Sequence, residues 1–306
     1  MVLERVLPLL GSFADQVVVV TGASSGIGRE TALTFARQGA AVALAARRRA
    51  LLAQVAEAVT NAGGRALVVP TDVTDLRAAR RAADRVRRAW GRIDILVNNA
   101  GIMIPGTVEE LSADDLESML RVNVFGALFM MQAVLPLLRR QGHGTIINVA
   151  SLAGRRGVTP LGGYCATKFA LVGLTEALRV ELDGAKVHLG LVLPGVVDTP
   201  MAEGFNRTAA LPSWPSMLNM PPEWVAAAVL LAARFRLREV SVPPGAATIE
   251  LLGAMAPGIA DSLVRWATSA ARLIGQAASR PNAGQGARTR RGRARSAPET
   301  AVTRGR

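Results

Sequence analysis

A single cysteine, Cys165, excludes an internal disulfide, and with only two histidines, His143 and His188, the chain offers no clustered His/Cys metal site. That usage suits a reducing compartment, and the expected location is the cytoplasm. Aromatic residues make up 4% of the chain, so Val, Leu, Ala and Ile must build the core. Tyrosine is the extreme case, since Tyr164 is the only one. No uninterrupted apolar run reaches the roughly 18–20 residues that cross a bilayer. Met1–Gly11 is partly apolar but broken by Glu4, Arg5 and Pro8. It lacks the apolar core of a secretory signal, and residues 1–14 are expected to form an arm packed on the domain.

What is present is a chain of 306 residues, half of them apolar. That length and composition fit one large folded α/β domain or two small ones. The net charge of +13 would suit a polyanionic partner, but its distribution argues otherwise. Residues 280–306 hold eight arginines against Glu299, leaving +6 for the other 279 residues. This Gly/Ala/Pro-rich tail has no apolar period and no aromatic residue to stack on a base. It is expected to be disordered and solvated, without specific nucleic-acid recognition.

Short apolar runs alternate with helical patterns over the first two-thirds of the chain. Strands are expected at Val17–Thr21, Ala41–Ala46, Ala66–Val69, Asp94–Val97, Thr145–Val149 and Val187–Val192, each continuously apolar, as for strands covered on both faces. Between them, Leu76–Arg92 carries an apolar stripe of Ala79, Ala83, Val86 and Trp90, with seven arginines mostly off it. Such alternation implies a doubly wound parallel sheet of about seven strands, helices on both faces, whose ligands lie beyond the carboxyl ends of the strands. A further helix at Glu223–Arg234 and a last strand at Glu239–Val242 would complete a domain spanning 15–245.

Several motifs fall where strands end. After the first strand comes Thr21-Gly22-Ala23-Ser24-Ser25-Gly26-Ile27-Gly28, leading into a helical pattern over Arg29–Gln38. Glycines there allow a tight turn and close approach of a pyrophosphate to a helix amino terminus. Asn98-Asn99-Ala100-Gly101 follows the fourth strand. Ser151 follows the fifth, thirteen residues before Tyr164-Cys165-Ala166-Thr167-Lys168, and Pro194-Gly195 with Thr199 follows the sixth. Tyr164 and Lys168, at i and i+4, share a helix face, where an ammonium could draw the phenol pKa down toward a working range. Ser151 could hydrogen-bond a substrate oxygen, or serve as a turn residue or cap. Asp72 could cap the helix beginning near Leu76.

These motifs, in this order, resemble those of the short-chain dehydrogenase/reductase family, from Asp15 to Met201. The resemblance implies a Rossmann-like fold and hydride transfer between a nicotinamide nucleotide and a carbonyl/alcohol pair. The implied catalytic set is Asn123, Ser151, Tyr164 and Lys168, with Asn123 on a water-linked proton path to the lysine. Nucleotide contacts are implied from the glycine loop and from Asp72-Val73, along the adenine. Asn99, Ala100, Gly101, Pro194 and Gly195 are placed at the same site. Tyr164 also belongs to it, Lys168 would bind the nicotinamide ribose, and Val197 and Thr199 would hold the carboxamide. The second strand closes on Ala45-Ala46-Arg47-Arg48 with no acid to accept ribose hydroxyls, and Arg47 can pair with a 2′-phosphate. NADP(H) is therefore expected over NAD(H). Cys165 is expected off the catalytic face, without a role.

The stretch of about 200–222, with Met201, Phe205, Leu211, Trp214, Met217, Leu218 and Met220, would either close over a hydrophobic carbonyl substrate or pack on the sheet. After Val242 the chain departs from the family's usual ending. Residues 246–279 are expected to form a helical extension covering the site mouth, a subunit interface or a membrane surface, where Arg265, Arg272 and Arg280 would suit anionic lipid. The resemblance implies a homodimer or homotetramer. An alternative function is a catalytically idle NADP-binding protein that senses redox state or scaffolds a partner.

Overall fold

The computed structural model describes residues 11–202 and 219–246, together with Gly258 and Ser262. Seven parallel strands form one sheet in the order β3-β2-β1-β4-β5-β6-β7. They are β1 (Val17–Thr21), β2 (Ala41–Ala46), β3 (Arg65–Pro70), β4 (Ile95–Asn98), β5 (Gly144–Val149), β6 (Val187–Pro194) and β7 (Glu239–Val242). The helices are α1 (Gly26–Arg37), α2 (Arg49–Asn61), α3 (Leu76–Trp90), α4 (Ala113–Leu120), α5 (Gly126–Gln141), α6 (Gly162–Glu181) and α7 (Pro222–Phe235).

The unbroken apolar strands are explained by the two layers. In β1, Val18 and Val20 join the core beneath α1, α2 and α7, while Val17 and Val19 join the core beneath α3 and α5. Both faces are covered, so no position alternates to water. The stripe expected on α3 is buried at Ala79, Ala83 and Val86, with Ala82 added, and the arginines of this stretch are exposed. The strand order reverses between β1 and β4, which opens a crevice at their carboxyl ends.

Two local features qualify this pattern. Asp94 lies outside β4 and acts as a staple at the amino-terminal ends of the strands, opposite the crevice. Its Oδ2 accepts from Val17 N at 2.9 Å, and its Oδ1 takes Arg92 Nη2 at 2.6 Å. The segment Ala113–Gln141 is helical throughout and is long and apolar enough to cross a membrane. It instead buries Met130, Met131, Val134 and Leu138 against the sheet. Its middle, Arg121–Phe125, is a π-helical turn, a widening common at functional sites.

At the amino-terminal side, Phe13 is buried edge-on against Phe35 with ring centroids 5.0 Å apart, which ties residues 11–14 to the domain. The rest of the expected arm, residues 203–218 of the substrate loop, and the 280–306 tail lie outside the described residues. So does the 246–279 extension, except at Ala246 and at Gly258 and Ser262, all three of which are helical.

Candidate active site

The crevice at the switch point is built from the β1–α1 turn and the segment after β4. Thr21 ends β1 with its hydroxyl buried. Oγ1 donates to Val97 O at 3.2 Å and accepts from Asn99 N at 2.9 Å and Ala100 N at 3.0 Å. Asn99 Nδ2 returns a bond to Thr21 O at 3.0 Å. The two motifs therefore form one rigid floor. Gly22 has φ +67°, and a Cβ on it would stand 2.9 Å from Ala100 Cα. A Cβ on Gly28 would stand 2.4 Å from Gly22 O. Only hydrogen atoms fit there, so glycine lets the turn pack directly on the segment after β4, and Gly22 and Gly26 line the cleft with no side chain. α1 begins at Gly26 with no side-chain cap and no acid in its first turn. Its free N–H groups and positive dipole end face the cleft.

At the rim next to β2 the sequence points to Arg47. Arg47 does line the cleft, but Arg48 is the residue that reaches the loop. Its Nη2 donates to Ser24 Oγ and Ser25 Oγ, both at 2.9 Å. The adjacent pair of arginines was the available signal, and only the turn into α2 decides between them. Asp72 also lines the cleft, but it does not cap α3. Its Oδ1 accepts from Thr74 N at 3.0 Å and Thr74 Oγ1 at 2.8 Å, while Asp75 Oδ1 makes the cap by accepting from Arg77 N at 2.7 Å. Val73 is buried against the Gly126 backbone.

The other wall carries the polar groups. Ser151 Oγ donates to Pro194 O at 3.2 Å and accepts from Ala153 N at 3.1 Å, so it also caps the short turn Leu152–Gly154. Tyr164 lies in the first turn of α6 beside it. Desolvation pushes the Tyr164 phenol up to about 12, against a hydrogen bond with Ser151 that acts in the opposite direction. Lys168 is buried, with Nζ donating to Val149 O at 3.1 Å and standing 5.6 Å from the Tyr164 ring centre. Burial pulls its ammonium down to about 8. The expected depression of the tyrosine by the lysine is thus reversed here. Lys168 points to a main-chain carbonyl, and burial dominates both groups. At neutral pH the wall presents a phenol, a hydroxyl and a buried ammonium.

Asn123 sits in the π turn, almost fully buried. Its Oδ1 accepts from Ile102 N at 2.8 Å, and its Nδ2 donates to Ile102 O and Thr167 Oγ1, each at 2.9 Å. The side chain is a satisfied core amide that clamps the strand-end segment to α6. Gly101 lies between: a Cβ there would come 3.2 Å from Asn123 Oδ1 and 3.8 Å from Lys168 Nζ. Beyond β6, Pro194-Gly195 leads to Val197, which pairs with Met220, and to Thr199, whose Oγ1 donates to Val197 O at 3.3 Å. Thr199 packs over Gly26, closing the segment onto the glycine loop. Cys165 points away to Val158.

Together these walls enclose a cleft of about 830 Å³. Its described charged residues are Arg47, Arg48 and Asp72 at one end and Lys168 at the other. On the side of Ser151 and Tyr164 the lining includes the apolar Leu152, Val158, Leu161, Met201, Met220 and Trp224, together with Thr159 and Asn219. Trp224, at the head of α7 and 42% exposed, was not legible as a site residue. It lies behind a proline-rich stretch without period, and only the return of the chain after Met220 brings it to the mouth.

Comparison with known proteins places this architecture. Residues 16–210 match the family model for short chain dehydrogenases. A ketoacyl reductase, HetN, of Nostoc sp. is 34% identical over 262 residues, which cover 83% of this chain and 90% of that protein. Among solved structures, a short-chain dehydrogenase/reductase from Burkholderia phymatum in complex with NAD superposes with a TM-score of 0.72 at 28% identity, covering 80% of this chain and 94% of the other. An alcohol dehydrogenase from the archaeon Thermococcus sibiricus, complexed with 5-hydroxy-NADP, gives 0.67 at 30% identity, covering 74% and 95%. The chain belongs to the short-chain dehydrogenase/reductase family and is an oxidoreductase of that family.

Proposed function

We propose that this chain is an NADP(H)-dependent oxidoreductase acting on a hydrophobic ketone or aldehyde and the corresponding alcohol, with Tyr164 as general acid and base. The reading rests on the convergence of Ser151, Tyr164 and Lys168 on one wall of the cleft that begins at the α1 amino terminus. The side-chain-free backbone at Gly22 and Gly26, both lining the cleft, fits a nucleotide diphosphate, held by the N–H groups of the first turn of α1. A nicotinamide nucleotide bound there supplies the hydride.

In reduction, the substrate carbonyl oxygen lies against Ser151 Oγ and the Tyr164 hydroxyl. As the carbonyl carbon gains the hydride, Tyr164 gives its proton to the oxygen and is left as phenolate. Ser151 stabilises the developing charge by redirecting its hydrogen bond from Pro194 O. The phenol pKa, pushed up to about 12, keeps that proton in place at neutral pH. Lys168, protonated below about 8, offsets the phenolate charge and can turn from Val149 O to the nicotinamide ribose hydroxyls. Oxidation runs the same steps backward.

NADP(H) is favoured because β2 ends at Ala46 without a carboxylate, and Arg48 spans Ser24 and Ser25 with Arg47 on the same rim. A 2′-phosphate would meet two guanidinium groups there. A hydrophobic substrate is favoured because Lys168 is the one charged side chain at the substrate end among the described residues.

Consumption of NADPH and NADH against hydrophobic ketones, aldehydes and β-ketoacyl thioesters tests this reading, the thioesters being included because of the Nostoc relative. Tyr164→Phe should lose about 10²–10⁴-fold in kcat while still binding nucleotide. Unchanged turnover would sink the mechanism. Arg48→Ala should erode the preference for NADPH, and a wild-type preference for NADH would count against the arginine rim.

A further inference from the structure

The start of α6 is weakly held by its own sequence, although it carries Tyr164. The helix opens on Gly162 and Gly163, its N-cap Leu161 makes no side-chain cap, and its first turn has no acidic residue. Two consecutive glycines lose the most backbone entropy on ordering, and an uncapped turn frays. A general acid needs its hydroxyl held within a fraction of an ångström of the reacting oxygen. The order must come from elsewhere.

Thr167 is the group placed to supply it. Its side chain is completely buried. Its Oγ1 accepts from Asn123 Nδ2 at 2.9 Å and donates to Tyr164 O at 2.8 Å. Asn123 is fixed in turn, because its amide clamps both Ile102 N and Ile102 O. An unbroken chain of hydrogen bonds therefore runs from the segment after β4, through the π turn, to the main chain of the tyrosine. The one proton of Thr167 and an acceptor site on its oxygen are both used, so the link has a fixed direction and no slack. A π turn can present Asn123 to Thr167 where a regular α-helical turn would rotate the following residues differently.

The geometry points to Thr167 as a positioning residue that locks the first turn of α6, and with it the Tyr164 hydroxyl, onto Asn123. It touches neither substrate nor nucleotide and acts through Tyr164. This inference rests on the proposed role of Tyr164 as general acid and base.

The test is Thr167→Val, nearly the same shape with both hydrogen bonds removed, beside Thr167→Ser, which restores the hydroxyl. In NADPH-dependent reduction, Thr167→Val should lose at least about tenfold in kcat, as misplacement of a reacting group does, with KM and the nucleotide Kd within about threefold. Thr167→Ser should recover kcat to within about threefold of wild type. A second readout is independent of turnover. Because Tyr164 is the only tyrosine, fluorotyrosine labelling gives one fluorine NMR signal from this site. That signal should shift or split in Thr167→Val and return in Thr167→Ser. A Thr167→Val protein with lowered Tm but wild-type kcat and an unmoved fluorine signal overturns the inference. So does a folded Thr167→Ser protein that loses kcat tenfold. If wild type reduces none of the carbonyls, the functional proposal fails, and the fluorine signal alone still decides whether Thr167 holds the tyrosine. If Thr167→Val does not fold, Thr167→Ser decides by the same two readouts.

Discussion

Tyr164 and Lys168 are displaced in opposite directions by one cause, removal from water. Tyr164 rises to about 12 and Lys168 falls to about 8, each toward its neutral form. For Lys168 this has a consequence for stability. The folded chain releases its proton near 8, while the unfolded chain keeps it to the ordinary value of 10.5. Below about 8 both states carry the charge and the burial cost is present in full. Between those values the unfolded state binds more protons, so the cost is relieved as pH rises. Lys168→Met should therefore be more stable than wild type at pH 7, by on the order of 1 kcal/mol or roughly 2–4 °C in Tm for a domain of this size. The margin should shrink as pH rises through the window from about 8 to 10.5. Thermal unfolding of both proteins across that range checks it, and a margin that grows with pH would contradict the assignment. The same variant should lose turnover, a trade of activity against stability expected of a buried functional charge.

Secondary-structure elements matter here chiefly through their ends. The β1–α1 turn works because the space a Gly28 side chain would need is already taken: a Cβ would meet the Gly22 carbonyl O at 2.4 Å and the Asn99 side-chain Nδ2 at 2.5 Å. Neither the carbonyl nor the clamped amide can swing aside. Gly28→Ala should raise the NADPH Kd by at least about tenfold, and it should destabilise the fold by about 1–3 kcal/mol, as overpacking does. Nucleotide titration by fluorescence and denaturant unfolding measure the two effects, and near-wild-type binding would show that the loop can relax. The helix of residues 113–141 was legible only in part. Its apolar content and the lone Asn123 stand out in sequence, but the π turn that aims Asn123 at Ile102 and Thr167 depends on packing against α6. Likewise the choice of Arg48 over Arg47, and of Asp75 over Asp72 as the α3 cap, followed from backbone direction at a turn. Two neighbouring residues of one type carry the same composition signal there.

As a whole molecule, the chain leaves Phe125, in the π turn before α5, and Phe169, on α6, each 45% exposed on the layer of α5 and α6, with the Phe125 and Phe129 ring centroids 6.0 Å apart. Exposed aromatic side chains are common anchors of protein–protein interfaces. A homo-oligomer through this layer is expected, sedimenting as a multiple of the 32.1 kDa chain. Phe169→Glu should shift it toward the monomer, and an unchanged sedimentation coefficient would exclude this layer as the interface. The alternation of apolar runs with helical stripes, and the glycines, Asn99, Ser151, Tyr164 and Lys168 at strand ends, determined the doubly wound sheet and the place of its cleft. Those signals are local, because period and turn chemistry act within a few residues. The tertiary structure decided which of two arginines reaches the serines, that Lys168 rests on a carbonyl with its pKa lowered, and that Asn123 and Thr167 join distant segments. Burial and hydrogen-bond partners arise from residues brought together across the sheet, and no pattern along the chain records them.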